Sequence, residues 1–244
     1  MEHMALPAKQ IRISPLLANI YLHYVFDLWT HWWRTKQAQG KVIVVRFADD
    51  FVVGFERGAD ARQFLVELRE RFAKFGVTLH PEKTRLIEFG RFADQDRRRS
   101  GKRKPETFCF LGFRHICTKT RKGAFMVMRQ TDKVRMRAKL QAVKTELQKR
   151  MHAPIAETGA YLRAAVAGHF HYYGVPLNYK ALSKFHHSVM MLWWQVLNRR
   201  SQTGRVSVPR MNCLTKRWLP HPQIFHPYPL ERLGVNTQGK SPVR

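Results

Sequence analysis

Residues 42–55 read VIVVRFADDFVVGF, and the reading of this stretch decides the reading of the chain. Two short β-branched and aromatic runs, 42–47 and 51–55, flank Ala48-Asp49-Asp50, the pattern of a β-hairpin with an acidic tip. Nearly every strand position is apolar, which predicts a buried hairpin. Adjacent aspartates at the end of a buried strand are unusual, because each buried carboxylate must find a cation. A divalent metal would satisfy them. Mg²⁺ is held by one or two carboxylates plus substrate phosphates, and phosphoryl-transfer enzymes use two such ions on the attacking and leaving oxygens. Asp is also common in hairpin turns, and on these residues alone the plain turn is the better reading.

Upstream, residues 14–28 are apolar at Leu16, Leu17, Ile20, Tyr21, Tyr24 and Leu28, a helical period with Ser14 as N-cap and Pro15 at the first helical position. This predicts a core helix. Downstream, Phe64, Leu65, Leu68, Phe72 and Phe75 predict a helix over 60–75 with Gly76 as its C-cap. Strands are expected at 77–79 and 84–89 around a His-Pro-Glu-Lys turn, then a basic loop at 97–105 (RRRSGKRKP), then strand character at 108–113. Beyond Arg129 the pattern turns helical. Met136, Leu140, Val143, Leu147 and Met151 line one side of a long basic helix that carries Lys133, Arg137 and Lys144 on its other faces. Further helices are predicted over 155–173 and 179–200, the latter with Leu182, Phe185, Val189, Leu192, Trp193 and Val196 inward. The last forty residues, rich in proline, are expected to be irregular.

The chain of 244 residues carries 44 Lys+Arg against 17 Asp+Glu, a formal net charge of +27. Self-repulsion on that scale points to a polyanionic partner, with nucleic acid first. No run of about 18 apolar residues suggests a membrane span, so a soluble, cytoplasmic protein without a membrane partner is expected. Cys109, Cys117 and Cys213 lack metal or disulfide spacing and are expected to be buried hydrophobes. Twelve histidines include His169/His171 and His186/His187, but neither pair has the i, i+4 spacing of metal ligands, so aromatic or RNA-facing roles are expected.

SPLLANIYLHYVFD (14–27), VRFADDFVVGF (45–55), GVTLHPEKT (76–84) and FCFLGF (108–113) follow one another in the order and spacing of a reverse transcriptase palm. The chain resembles the bacterial group II intron reverse transcriptase/maturase family. FADD is similar to the family's Tyr/Phe-Ala-Asp-Asp box, and the resemblance implies that Asp49 is a direct Mg²⁺ ligand and Asp50 its partner. It also implies that Lys83 lies near the incoming nucleotide and that the turn at Leu111 and Gly112 grips the primer end. GHFHYYGVP (168–176), LWWQVLNRRSQ (192–202) and RWLPHPQIFHPYP (217–229) resemble the thumb and maturase part of the family, whose basic helices hold intron RNA and the template-primer duplex. Trp193 is expected in the core, and exposed members of Trp194, Tyr172 and Tyr173 as base-stacking groups.

The expected fold is therefore α+β: a partial palm with an antiparallel sheet over 1–128, an all-α thumb/maturase domain over 129–200 and an irregular basic tail over 201–244. Two departures from the family are visible. Pro7-Ala8-Lys9-Gln10-Ile11-Arg12 stands where the family has a Pro-Gln-Gly turn, and the fingers and upstream catalytic carboxylate are expected to be missing; Asp27, at a helix end, is no substitute. Two functions follow from the resemblance. One is an RNA-directed DNA polymerase completed by a separately encoded N-terminal fragment. The other is a catalytically inactive RNA-binding relict that retains splicing assistance.

Overall fold

The computed structural model describes residues 14–200 and 204–228; the junction at 7–12 and the last part of the tail lie outside the described residues. The fold is α+β, as expected, and forms two compact units, Met1–Glu88 and Phe89–Arg244.

In the first unit one helical run comprises α1 (Ser14–Leu22), a π-helical turn (His23–Asp27) and α2 (Leu28–Lys36). β1 (Val42–Phe47) and β2 (Asp50–Phe55) then form an antiparallel hairpin with Phe47 opposite Asp50, and α3 (Gly58–Lys74) packs against it. Val25, Phe26, Trp33, Phe64, Leu68 and Phe72 make the core, with Phe51, Val53 and Phe55 leaning on it from the hairpin. The Phe26 and Phe51 rings lie 4.4 Å apart, and Trp33 meets Phe64 edge-on at 5.0 Å. Gly76 ends α3 as predicted. At φ +66° it donates to the Ala73 carbonyl while the Val77 N–H donates to Phe72, the paired bonds of a left-handed helix cap.

Three expectations for this unit are corrected. The predicted core face of the helix over 14–28 is exposed: Leu16 and Tyr24 are each 63 % accessible, and Leu17, Ile20, Tyr21 and Leu28 are exposed too. The helix buries Val25, Phe26, Thr30 and Trp33 instead, because α3 and the hairpin lie on that side. The hairpin is not buried either. Val42, Val44 and Arg46 face inward, whereas Ile43, Val45 and Phe47 face outward with no cover among the described residues. Residues 77–79 and 84–89 carry no regular secondary structure and join no ladder, so they are not strands.

In the second unit α4 (Ala93–Arg99) precedes a three-stranded antiparallel sheet of β3 (Phe108–Phe110), β4 (Phe113–Lys119) and β5 (Phe125–Thr131). α5 (Lys133–Lys149), α6 (Ile155–Tyr173), α7 (Tyr179–Asn198) and α8 (Val208–Trp218) follow. Asp132 caps α5 by accepting the Arg135 N–H. The helical core joins Val143 and Leu147 to Leu162, Val166 and Phe170, and to Leu182, Phe185, Val189 and Trp193, so the predicted inward positions of α5 and α7 hold, with Leu192 half-buried. Asn178 ties sheet to helices: its amide oxygen accepts the buried Thr131 N–H at 3.0 Å, and its amide nitrogen donates to the Thr131 hydroxyl at 2.8 Å and the Tyr173 carbonyl at 2.9 Å.

Two expectations change here. The loop at 97–105 begins as the last turn of α4, where Arg98 pairs with Asp94 one turn earlier. The irregular tail contains α8, because Pro209 lies in its first turn, where a missing N–H costs nothing. No helix among the described residues is long and apolar enough to cross a membrane.

Candidate metal and nucleic-acid site

The hairpin tip is built by sterics and one arginine. Ala48 sits at φ +53°, a left-handed conformation that costs an L-residue about 1–2 kcal/mol, so the two-residue turn must be held from outside. Arg46 supplies the hold. Its Nε and Nη2 donate to the two carboxylate oxygens of Asp27 at 2.8 and 2.6 Å, and its Nη1 donates to the Ala48 carbonyl at 2.8 Å and to Asn19 Oδ1 at 2.9 Å. The hydrogen bonds and charge of Asp27 raise the Arg46 pKa further above its ordinary value. Asp27, read from the sequence only as a helix end, is thus the residue that fixes the tip.

Asp49 and Asp50 are both exposed at that tip, which corrects the buried placement: the sheet has two strands, and Asp50 lies on its uncovered face beside Phe47. Neither carboxylate has a hydrogen bond or ion pair to another described residue. Two adjacent hard oxygen donors left to solvent fit the ligand chemistry of Mg²⁺. No group of three or more His, Cys, Asp or Glu able to hold a metal occurs among the described residues.

Lys83 is exposed in the turn at 81–83, whose Lys83 and Thr84 N–H groups donate to the His80 carbonyl. Leu111 and Gly112 form the two-residue turn between β3 and β4, with φ of +49° and +74°, the paired positive values of a type I′ hairpin. Lys133, Arg137 and Lys144 are all exposed on α5, at the i, i+4, i+11 spacing that keeps them to one side. Arg137 and Lys144 rim a cavity of about 740 Å³ between α5 and α7 whose other walls include Val134, Leu140, Met191 and Leu192. The charge is unevenly shared. Residues 1–88 hold 13 Lys+Arg against 10 Asp+Glu, and residues 89–244 hold 31 against 7, so the second unit carries nearly all the excess.

Histidines and cysteines divide between core and surface. His169 is buried and stacks on Phe185 at 3.7 Å, and burial, helped by the charge of Lys139, pushes its pKa down to about 4. Trp193 is a core residue as expected; Tyr172 is exposed. All three cysteines are free thiols, but Cys109 and Cys213 are exposed rather than buried, because each points away from the apolar side of its element; Cys117 is half-buried.

The acidic hairpin tip, the lysine turn and the β3–β4 turn follow one another within one stretch of sequence. Residues 11–115 match the reverse transcriptase (RNA-dependent DNA polymerase) family. The stretch is therefore of reverse-transcriptase type, and Asp49, Asp50, Lys83, Leu111 and Gly112 all fall inside it. No curated protein matches the chain. The helices from α5 onward lie beyond the reverse-transcriptase match and carry the basic surface.

Proposed function

We propose that the chain is a group II intron-type reverse transcriptase/maturase segment that binds intron RNA and the template-primer duplex. The observation that carries this reading is the reverse-transcriptase match over 11–115 with its paired, solvent-facing aspartates at a held hairpin tip. In this reading residues 1–128 act as a partial palm, 129–200 as a thumb and maturase domain and 201–244 as a basic tail, in a cytoplasmic protein. Asp49 would be a direct Mg²⁺ ligand and Asp50 its partner, and the bound Mg²⁺ would supply Lewis-acid stabilisation of the attacking primer 3′-oxygen and of the pyrophosphate leaving group. Lys83 meets the phosphates of the incoming nucleotide, and the 111–112 turn holds the primer end. Lys133, Arg137 and Lys144 contact backbone phosphates, which positions RNA without reading its sequence.

The exposed apolar face of α1 and β1 supports a polypeptide partner, because uncovered apolar surface of this extent marks an interaction site. We take that partner to be further reverse transcriptase polypeptide, including a separately encoded N-terminal fragment. A second reading is a catalytically inactive RNA-binding relict, which keeps the basic surface of the second unit and uses it without polymerisation. Primer extension on an RNA template in Mg²⁺ separates the two. The polymerase reading expects extension when the chain is mixed with a fragment bearing fingers and a further catalytic aspartate, and loss of extension with Asp49→Ala. Extension that survives Asp49→Ala would refute the assignment of the metal site. No extension in any mixture, with RNA binding intact, would leave the relict.

A further inference from the structure

The β3–β4 turn does not hold its own shape. Leu111, a non-glycine residue, is left-handed at φ +49°, and such a conformation persists only where its surroundings fix it, whereas Gly112 adopts φ +74° without that cost. The surroundings are two consecutive tyrosines at the end of α6. The Tyr172 hydroxyl donates to the Leu111 carbonyl at 2.8 Å, and its ring stacks on Phe113 at 5.7 Å and 19°. Tyr173 closes the other side: a Cβ added to Gly112 would lie 2.7 Å from the Tyr173 hydroxyl oxygen, so any larger residue there has to displace that side chain from the turn. The Gly112 carbonyl is taken by the Asp132 N–H at 2.9 Å. Both turn carbonyls are thus committed to protein donors, which leaves the N–H side of the turn as the polar edge a phosphate oxygen can use.

We propose that Tyr172 and Tyr173 are positioning residues for the primer end, locking the 111–112 turn in its strained form so that its backbone meets the terminal phosphates. This rests on the reading of that turn as the primer contact. Tyr172 is then a strut from α6 to the turn, and its exposed ring is a consequence of standing beside the nucleic-acid path.

The test compares the full chain's affinity for an RNA–DNA duplex with a recessed DNA 3′ end against a blunt duplex of the same length, by fluorescence anisotropy. The wild type should prefer the recessed end. Tyr172→Phe removes one hydroxyl and keeps the ring, and should lower that preference by roughly fivefold, the loss of one hydrogen bond, with the melting temperature held. Gly112→Ala should abolish the preference. Adding Tyr173→Phe to Gly112→Ala removes the oxygen the new Cβ meets and should restore part of it, which a general loss of folding would not do. A wild type without end preference would refute the reading of the turn as the primer contact, and this inference with it. A wild type with end preference that survives Tyr172→Phe and Gly112→Ala would overturn the positioning role alone.

Discussion

Replacing Asp27 by alanine should loosen the aspartate tip without touching either tip carboxylate. Arg46 would lose both charge-assisted bonds to Asp27 and keep only Asn19 and the Ala48 carbonyl. Its side chain is 16 % exposed and that of Asp27 31 %, so the pair lies between a solvated ion pair, worth well under about 1 kcal/mol, and a fully buried one, whose disruption costs about 3–5 kcal/mol. We expect about 2 kcal/mol. Amide hydrogen exchange of the peptide spanning 42–55 reads this locally: about 2 kcal/mol corresponds to roughly thirtyfold faster exchange where opening is the exchange route. The double variant Asp27→Ala/Arg46→Ala should be less perturbed than the sum of the single variants by a similar amount, because the second change removes the guanidinium left unpaired by the first. Additive single variants, or exchange unchanged by Asp27→Ala, would show that the tip is held by the β1–β2 ladder alone.

Reversing the charge of Lys133, Arg137 and Lys144 together should weaken binding of unrelated RNAs about equally and flatten the slope of log affinity against log salt, measured by filter binding; loss confined to one RNA would refute phosphate contact. Gly159→Ala should cost about 1–3 kcal/mol in denaturant unfolding, because the new Cβ would lie 2.4 Å from the Trp218 ring, and Trp218→Leu should recover part of the loss. His169 gives a pH dependence of definite sign. With a folded pKa of about 4 against an ordinary 6.5, it binds a proton more readily unfolded, so its contribution is full above pH 6.5 and is lost as pH falls toward 4. The loss amounts to about 3 kcal/mol, and the melting temperature of His169→Phe should fall less steeply than that of wild type between pH 7 and 5.

The helices of the second unit were legible because their periodicity has a counterpart. Val143 and Leu147 on α5 and Leu182, Phe185, Val189 and Trp193 on α7 are buried against one another, so an apolar stripe in the sequence is also an apolar contact in the fold. The same rule failed for the helical run from α1 into α2, whose stripe of Leu16, Ile20, Tyr24 and Leu28 faces outward, because periodicity marks which side is apolar and not what covers it. β4 and β5 escaped notice for a different reason. FRHICTK and FMVMRQT mix charged and apolar residues, and only their pairing, Phe113 opposite Thr131 through Lys119 opposite Phe125, makes them strands. Asp49, Asp50, Lys83, Leu111 and Gly112 were reached through the resemblance; the Asp27–Arg46 bond, nineteen residues apart in sequence, and the contacts of Tyr172 and Tyr173 with a turn some sixty residues earlier carry no local signal.

Charge and apolar surface are kept apart in a way that bears on what each unit meets. Residues 14–33 contain no lysine or arginine and a single acid, Asp27, which Arg46 already neutralises, while the chain as a whole stands at +27. A face built from Leu16, Ile20, Tyr24, Leu28 and Trp32 offers no cation to a phosphate, so nucleic acid gains no counterion release there. Removing such side chains from water is instead favourable by about 25 cal/mol per Å² against another apolar surface. Under the proposed function, RNA is expected to meet the second unit, with its 31 Lys+Arg against 7 Asp+Glu, and polypeptide the helix beside the aspartate tip. A chain that bound RNA equally well after Leu16 and Ile20 were changed to aspartate, but no longer gained extension activity from an added palm fragment, would behave as this division requires.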